Sequence, residues 1–425
     1  MQAFTTDISC AQALDANDKL AHVKKRFYVQ PGQLYFDGNS LGLCSIDAEE
    51  AVLRALNDWK THGIGIWSSA PVNYFLYQDI LGAKIAPLIN AHAEEVTVCT
   101  NTTINIHQCV ATFYQPTETR YKILIDELNF PTDRYAVASQ LALQNMPDDA
   151  LKVVTSRDGK LIEEDDVIAA MTEDVALILL PAVLYRSAQL LDLVRLTAEA
   201  HRRGILIGFD LCHSIGAVAH DFQAIDCDFA VWCNYKYLAG GPGAIAGLYI
   251  NRKHFSKTPG LTGWQGNRKD TQFDLLPTFE HVQNAGGWQT GTQPILSMAA
   301  TEGALDIYNA LSMRDIREKS LLLTNYLMYL IDEKLFAYGF TIGNPREDTR
   351  RGGHVALVHD DAIRINEALK ARNVVPDFRA PNVIRLAPVA LYVSFEDVYR
   401  LVEIIADIMR HKEYEKFSAK RGTVA

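Results

Sequence analysis

Between residues 95 and 250 the chain alternates short, uninterrupted apolar runs with longer stretches of helical spacing. The runs fall at 95–99, 122–125, 175–180, 204–209, 229–232 and 247–250. Continuous apolar runs of this length, without polar alternation, predict strands buried on both faces of a mostly parallel sheet. One complete unit reads directly: Asp192 caps a helix that runs through His201-Arg202-Arg203, Gly204 ends it, and a strand follows at once. Upstream, Ser45 is placed to cap a helix with Asp47, Glu49 and Glu50 in its first turn and Val52, Leu56 and Trp59 along one apolar face. Beyond residue 300 the pattern shifts to long amphipathic helices with few strands. The last helix opens on a capping box, Ser394 with Asp397, and carries Val398, Leu401, Ile404, Ile405 and Ile408 as its apolar stripe. The expected organisation is an amino-terminal segment over 1–60 that returns to a smaller α+β domain over 301–425, around a large α/β domain over 61–300.

Composition narrows the class. The chain has 425 residues, nearly half apolar, enough for a large core. A formal charge of −10 argues against a nucleic-acid surface, which needs a basic stripe. The basic runs Lys24-Lys25-Arg26 and Arg350-Arg351 are short and read as solvated surface. Seven cysteines form neither a CxxC pair nor metal-ligand spacing, so reduced thiols, no metal and a cytoplasmic setting are expected. The first ten residues lack the charged start and apolar stretch of a secretory leader, and no apolar run reaches membrane-spanning length.

Ligands of open parallel sheets bind at the carboxyl ends of the strands. The run 205–209 leads into Asp210, and the next run, 229–232, leads through Asn234-Tyr235 into Lys236 and a glycine-rich stretch. A lone aspartate there could simply cap a turn, and the pair could be a buried salt bridge. A lysine at an aromatic strand end is poorly placed as a surface charge, however, and suits condensation with an aldehyde. A carboxylate from the neighbouring strand is what a protonated pyridine nitrogen requires. After the run 95–99, Thr102 and Thr103 open a helix whose free N–H groups suit a phosphate, although threonines there are also ordinary caps. After the run 122–125 come Phe130, Pro131, Thr132 and Asp133; Phe130 could stack on a planar ring or merely pack. Together these features fit pyridoxal 5'-phosphate (PLP).

The same segments resemble the kynureninase family, PLP enzymes of fold type I within the aminotransferase superfamily. The resemblance runs nearly the whole chain through Gly38-Asn39-Ser40-Leu41-Gly42, Phe130-Pro131-Thr132-Asp133, Phe209-Asp210-Leu211-Cys212-His213-Ser214, Asn234-Tyr235-Lys236-Tyr237-Leu238 and Ile384-Arg385-Leu386-Ala387-Pro388. It implies hydrolytic Cβ–Cγ cleavage of kynurenine, or its 3-hydroxy form, to an anthranilate and alanine in tryptophan breakdown. It implies Lys236 as the cofactor's covalent anchor and carrier of the α-proton, and Tyr235 as proton donor near the phosphate. Asp210 is implied at the pyridine nitrogen with Asp133 and His213 around it, and Phe130, Pro131, Thr132, Thr102 and Thr103 as further cofactor contacts. Arg385 and Asn39 are implied at the substrate carboxylate. Trp264, with Thr292 in a nearby loop, implies a homodimer in which Trp264 reaches the partner's cofactor phosphate.

Thr292, Gln265, Asn267 and Pro181 depart from the family's usual residues, and Pro181 lacks any donor. A class V aminotransferase or a cysteine desulfurase would share Lys236 and Asp210, and a non-catalytic PLP-binding regulator would share the cradle. Arg385 and the Asn39 segment favour a substrate-handling enzyme over the regulator.

Overall fold

The six apolar runs all become strands of one seven-stranded sheet in the computed structural model, which describes residues 4–420. In chain order these are β1 (Val96–Val98), β2 (Lys122–Asp126), β3 (Leu151–Val154), β4 (Val175–Pro181), β5 (Leu206–Asp210), β6 (Phe229–Cys233) and β7 (Ala246–Ile250). Their spatial order is β1-β7-β6-β5-β4-β2-β3. β7 runs antiparallel to both its neighbours and the other pairings are parallel. β4, β6 and β7 are buried along their whole length and β5 everywhere but at Leu206, as continuous apolar runs require. The chain is thus a mostly parallel α/β fold with a second, carboxy-terminal sheet.

β3 is an addition to the expected strands. It sits at the sheet edge, where Leu151, Lys152 and Val153 are only half-buried, so its sequence lacks the uniform apolar character of the inner strands. The Leu193–Arg202 helix forms as expected: the Asp192 side chain accepts from the Arg195 N–H, and Gly204 leaves the helix at φ +67°, a conformation glycine adopts without strain.

The Ile46–His62 helix begins at Ser45, but its buried face is a correction to the expected stripe. Ala48, Ala51 and Ala55 face inward, Val52 and Leu56 are half-buried, and Trp59 is 58% exposed. The cause is its partner helix, Ile295–Asn309: a Cβ on Gly303 would collide with the Asp47 carbonyl, so the helices meet at small residues. The large apolar side chains are left on the outer side.

A second sheet contains β8 (Thr341–Ile342), β9 (Val355–Val358), β10 (Asp377–Arg379) and β11 (Val383–Leu386), in the antiparallel order β10-β11-β9-β8. The long Met313–Lys334 helix and the Phe395–Arg410 helix pack together beside it. Ser394 and Asp397 form the capping box, and Val398, Leu401, Ile405 and Ile408 are buried with Ile404 at the margin.

The start of the chain is fastened to this end. Asp15 accepts from the N–H groups of Phe395 and Glu396 at 2.8 and 2.9 Å, supplying two first-turn donors of that helix with an acceptor. Lys24 pairs with Asp397 at 2.6 Å, and Leu34–Tyr35 pairs in parallel with Val374–Val375. Met1 to Ala3, the first residues of the segment read as carrying no leader, lie outside the described residues. No helix among the described residues is long and apolar enough to cross a membrane.

Candidate active site

The carboxyl ends of β5 and β6 lie side by side, with Asp210 in register with Val231. Asp210 is the last residue of β5, and its Oδ1 accepts from the Cys212 N–H at 2.7 Å. Lys236 follows β6 on a turn that Asn234 ties down: its side chain accepts from Trp232 Nε1 at 2.9 Å and donates to the Ile245 carbonyl at 2.7 Å. The segment around Asn39 closes over that turn. The Gly42 N–H donates to the Tyr235 carbonyl at 2.8 Å, and a Cβ on Gly42 would collide with the Lys236 carbonyl and Ala239 Cα. Only glycine permits this approach.

The hydrogen-bond partner of Lys236 Nζ is His213 Nε2, at 2.8 Å, and not Asp210. Burial first, then the charges of Lys236 and Arg385, hold the His213 imidazole well below its ordinary pKa, so the ring is neutral near pH 7. With Nε2 accepting from the amine, the ring proton sits on Nδ1, which is buried without a partner. Asp210 lies instead beside Asp133. Both Asp133 oxygens are buried and unpartnered, and burial followed by the Asp210 charge pushes its carboxyl well above the usual range. Burial raises Asp210 as well. Asp210 lines the cavity floor with Asp133 buried next to it, and two such dry carboxylates call for a shared proton or a cationic N–H.

The Thr102–Phe113 helix points its amino terminus at the same cavity. Asn101 caps it by accepting from the Ile104 N–H at 3.1 Å, and Thr103 Oγ1 lies 2.8 Å from Thr132 Oγ1. First-turn N–H groups have no partner within a helix and attract anions. Phe130 stands at the mouth, 41% exposed, edge-on to Tyr185 with ring centroids 5.4 Å apart. Lys236 Nζ is 5.9 Å from the Phe130 ring centre. Pro131 starts the helix that carries Thr132 and Asp133, a position suited to its missing N–H; it shapes that helix and does not line the cavity. Burial pushes the Tyr235 phenol far up, so it stays protonated.

The opposite wall comes from the carboxy-terminal sheet. Arg385 is 1% exposed and fully engaged: Nε and Nη2 pair with Asp377, Nη1 donates to the Tyr185 carbonyl at 2.9 Å, and Nη2 also donates to Ser40 Oγ at 2.9 Å. Asn39 is buried beside it with both amide atoms unpartnered. Arg379 lines the wall as well. The enclosed volume is about 350 Å³. Tyr185, Arg379 and Asp377 escaped the sequence reading. Asp377 and Arg379, two apart on a strand just before Arg385, lie on one strand face, which was the available signal. Tyr185 follows β4 by a loop and had none.

Trp264 and Thr292 are not brought to this cavity in the chain. Trp264 packs edge-on to Phe273 at 5.5 Å. Thr292 lines a separate apolar hollow of about 530 Å³ with Trp59, Ile64, Trp67 and Leu296. Its loop meets the cradle through Gln293, which accepts from the Thr100 N–H at 3.1 Å. Two of the departures brace the Trp264 loop: Gln265 accepts from Lys269, and Asn267 accepts from the Glu280 N–H at 2.9 Å. Pro181 ends β4 in register with Asp210. Elsewhere Asp407, His411 and Glu413 converge at the surface, but Arg372 pairs with both carboxylates, so the cluster is an ion-pair network.

Comparison with known proteins agrees with this geometry. Residues 316–405 match the kynureninase C-terminal domain. A kynureninase of Geobacillus thermodenitrificans (strain NG80-2) is 53% identical over 424 residues, covering 100% of this chain and 99% of that protein. A kynureninase of Bacillus anthracis is 52% identical over 425 residues, with the same coverage. Among solved structures, a C-DES variant with glycine covalently linked to its PLP cofactor superposes with a TM-score of 0.78 at 17% identity, covering 90% of this chain and 99% of that one. An apo cysteine desulfurase from Thermococcus onnurineus NA1 gives 0.76 at 15% identity, covering 92% and 98%. The structural likenesses establish a fold shared with PLP enzymes, while the sequence relatives go further: the chain belongs to the kynureninase family.

Proposed function

We propose that this chain is a PLP-dependent kynureninase, which cleaves L-kynurenine or 3-hydroxy-L-kynurenine to the corresponding anthranilate and L-alanine. The observation that carries the reading is the Lys236 amine held by a neutral His213 above the buried Asp133–Asp210 pair. The residues present fit the cofactor. Asp210, with the unpartnered carboxyl of Asp133 beside it, suits its protonated ring nitrogen, and the Thr102–Phe113 amino terminus with Thr102, Thr103 and Thr132 suits its phosphate. Phe130 suits its ring face. When bound, PLP supplies the electron sink that lets bonds at the substrate's α- and β-carbons break heterolytically.

Lys236 anchors the cofactor and, once released, takes the α-proton, with His213 Nε2 keeping the amine in place. Asp210, beside the buried Asp133, holds the ring nitrogen protonated. Tyr235, kept protonated by burial, is the proton donor to the leaving carbon. Arg385 and Asn39 orient the substrate carboxylate. Cys212, the thiol that lines the cavity, is pushed far up by burial, which disfavours the nucleophile a desulfurase needs.

The reading includes a cytoplasmic homodimer. The hollow around Thr292, with Trp59 and Ile64 exposed beside it, is an apolar surface that a second copy would cover. Trp264 and Thr292 would then act at the partner's cavity. It also keeps the division at 1–60, 61–300 and 301–425, with the first segment riding on the third. The test is to purify the protein with PLP, add L-kynurenine and follow anthranilate fluorescence, with 3-hydroxykynurenine in parallel. Anthranilate and alanine in equal amounts are expected; cleavage of neither compound would overturn the proposal.

A further inference from the structure

Two buried imidazoles stand in line behind the Lys236 amine. His213 Nε2 accepts from Lys236 Nζ at 2.8 Å, which leaves the ring proton on Nδ1. Nδ1 and both ring nitrogens of His354 are buried and form no hydrogen bond with the described residues. Buried polar atoms are seldom left unpaired, because the hydration they lose is then not replaced.

The chain brings the two rings together by a close approach. His354 immediately precedes β9 and is fully buried. Gly353, before it, lies against the segment that carries His213: a Cβ there would come 2.9 Å from Ala217 Cβ and 3.1 Å from Tyr237 Oη. The imidazole centres are 6.2 Å apart, with the rings edge-on at 64°. The nitrogens make no direct bond across that gap, which suits one bridging water. Tyr237 Oη, beside Gly353, is buried and unpartnered too, so this space has the polar lining a buried water needs.

The far side of His354 sets the sense of donation. Burial first, then the charge of Arg385, holds its imidazole well below the ordinary pKa, and the Arg186 carbonyl acts the other way. A neutral imidazole has one N–H and one acceptor nitrogen. With its N–H toward the Arg186 carbonyl, His354 keeps its other nitrogen free to accept. Donation then runs in one direction from Lys236 through His213 and His354 to the Arg186 backbone, an order in which each bond polarises the next.

We propose that His354 is a positioning residue for Lys236: through one bridging water it accepts the hydrogen bond that His213 Nδ1 donates, and so holds His213 with Nε2 as the acceptor for the amine. The inference rests on the function proposed above only for Lys236 being the working amine.

The experiment reads the tautomer by nitrogen NMR of the cofactor-free, full-length enzyme labelled at histidine, with His213 assigned by the signals missing from H213N. In the parent, His213 is expected in one neutral form, with its proton on Nδ1. In H354F, which keeps a ring but no nitrogen, that form is no longer the single one; in H354Q, which keeps a side-chain acceptor, it is retained. With the loaded enzyme, kcat for kynurenine cleavage falls by about tenfold in H354F while KM stays within about twofold, the scale of one hydrogen bond lost away from the substrate. H354Q recovers most of that loss. A parent His213 with its proton on Nε2 would overturn the proposal, and so would an unchanged His213 in H354F or an H354Q variant that behaves as H354F. Should H354F fail to fold, H354L is read in its place with the same outcomes. Absence of kynurenine cleavage by the parent would overturn the proposed function but leave the tautomer readable, because that measurement needs no turnover.

Discussion

The amine of Lys236 lies 2.8 Å from Nε2 of His213, and the ring of His354 stands 6.2 Å beyond, measured between the two imidazole centroids. Burial holds both imidazoles far below their ordinary pKa. The lysine therefore meets a hydrogen-bond acceptor and not a competing cation. Lys236→Ala removes the group proposed to anchor the cofactor and carry the α-proton. The expected result is loss of multiple turnover and of the absorption band of lysine-bound PLP. Sustained anthranilate release by this variant would defeat the assignment.

Asp210→Asn keeps the shape of the floor but removes the charge proposed to hold the ring nitrogen protonated. Turnover should fall by about two to three orders of magnitude, the scale seen when a single preorganised electrostatic partner is lost. Asp133→Asn removes one of two crowded carboxylates. Because the native carboxyl is pushed up, its burial stabilises only while protonated, and that contribution is lost as pH rises through the native value. The cofactor-free Asp133→Asn variant should therefore gain more melting temperature over the parent at pH 8 than at pH 5. A gain that is the same at both pH values would contradict this account.

Asp377 is 4% exposed and is the counter-charge for two guanidiniums. Asp377→Ala leaves Arg385 buried without its partner, which should cost about 3–5 kcal/mol of stability. Urea denaturation of the loaded enzyme measures it, and a loss below about 1 kcal/mol would mean that Arg385 finds compensation elsewhere.

Asp37 has its carboxyl raised from 3.8 to about 7, with burial as the first cause and Asp377 as the second. Between these values the native state keeps a proton that the unfolded chain has released, so stability falls as pH rises through this window. Asp37→Asn abolishes that slope. The variant's stability relative to the parent should rise by a few kcal/mol, order of magnitude, between pH 4 and pH 8. Parallel stability profiles for parent and variant would exclude the effect.

Much of this arrangement was readable in advance, for identifiable reasons. The inner strands betray themselves because both of their faces are buried, and the sequence separation of Asp210 and Lys236 matches one strand–crossover–strand step that places them at one sheet edge. What lay between them was not readable: Lys236 leans on His213, and Asp210 leans toward Asp133, because side-chain direction follows from the turns after each strand. The Ile46–His62 helix departs from its expected face for a related reason. Periodicity marks an apolar face, yet the closest helix contact here is made by alanines against Gly303. The Arg379–Asp377–Arg385 set depends on cross-strand register, which no single strand reveals.

Ile64 is 85% exposed at the rim of the apolar hollow that holds Thr292. In the proposed homodimer, Ile64→Asp places a charge in that interface and should shift the protein from dimer to monomer in sedimentation analysis. Activity should fall with the dimer, since Trp264 would no longer reach a partner. A variant that remains dimeric, or an active monomer, would contradict the proposed assembly.

The fastening of Asp15 to the amino end of the Phe395–Arg410 helix bears on how the protein is made. Ser40 likewise meets Arg385 across nearly the whole chain. During translation the opening segment is synthesised first, yet its resting place does not exist until residues beyond 385 have been added. One wall of the cavity is therefore among the last parts to close. A ribosome-bound chain that stops short of Arg385 lacks the partner of Ser40, so the cavity can be completed only after synthesis has passed that point.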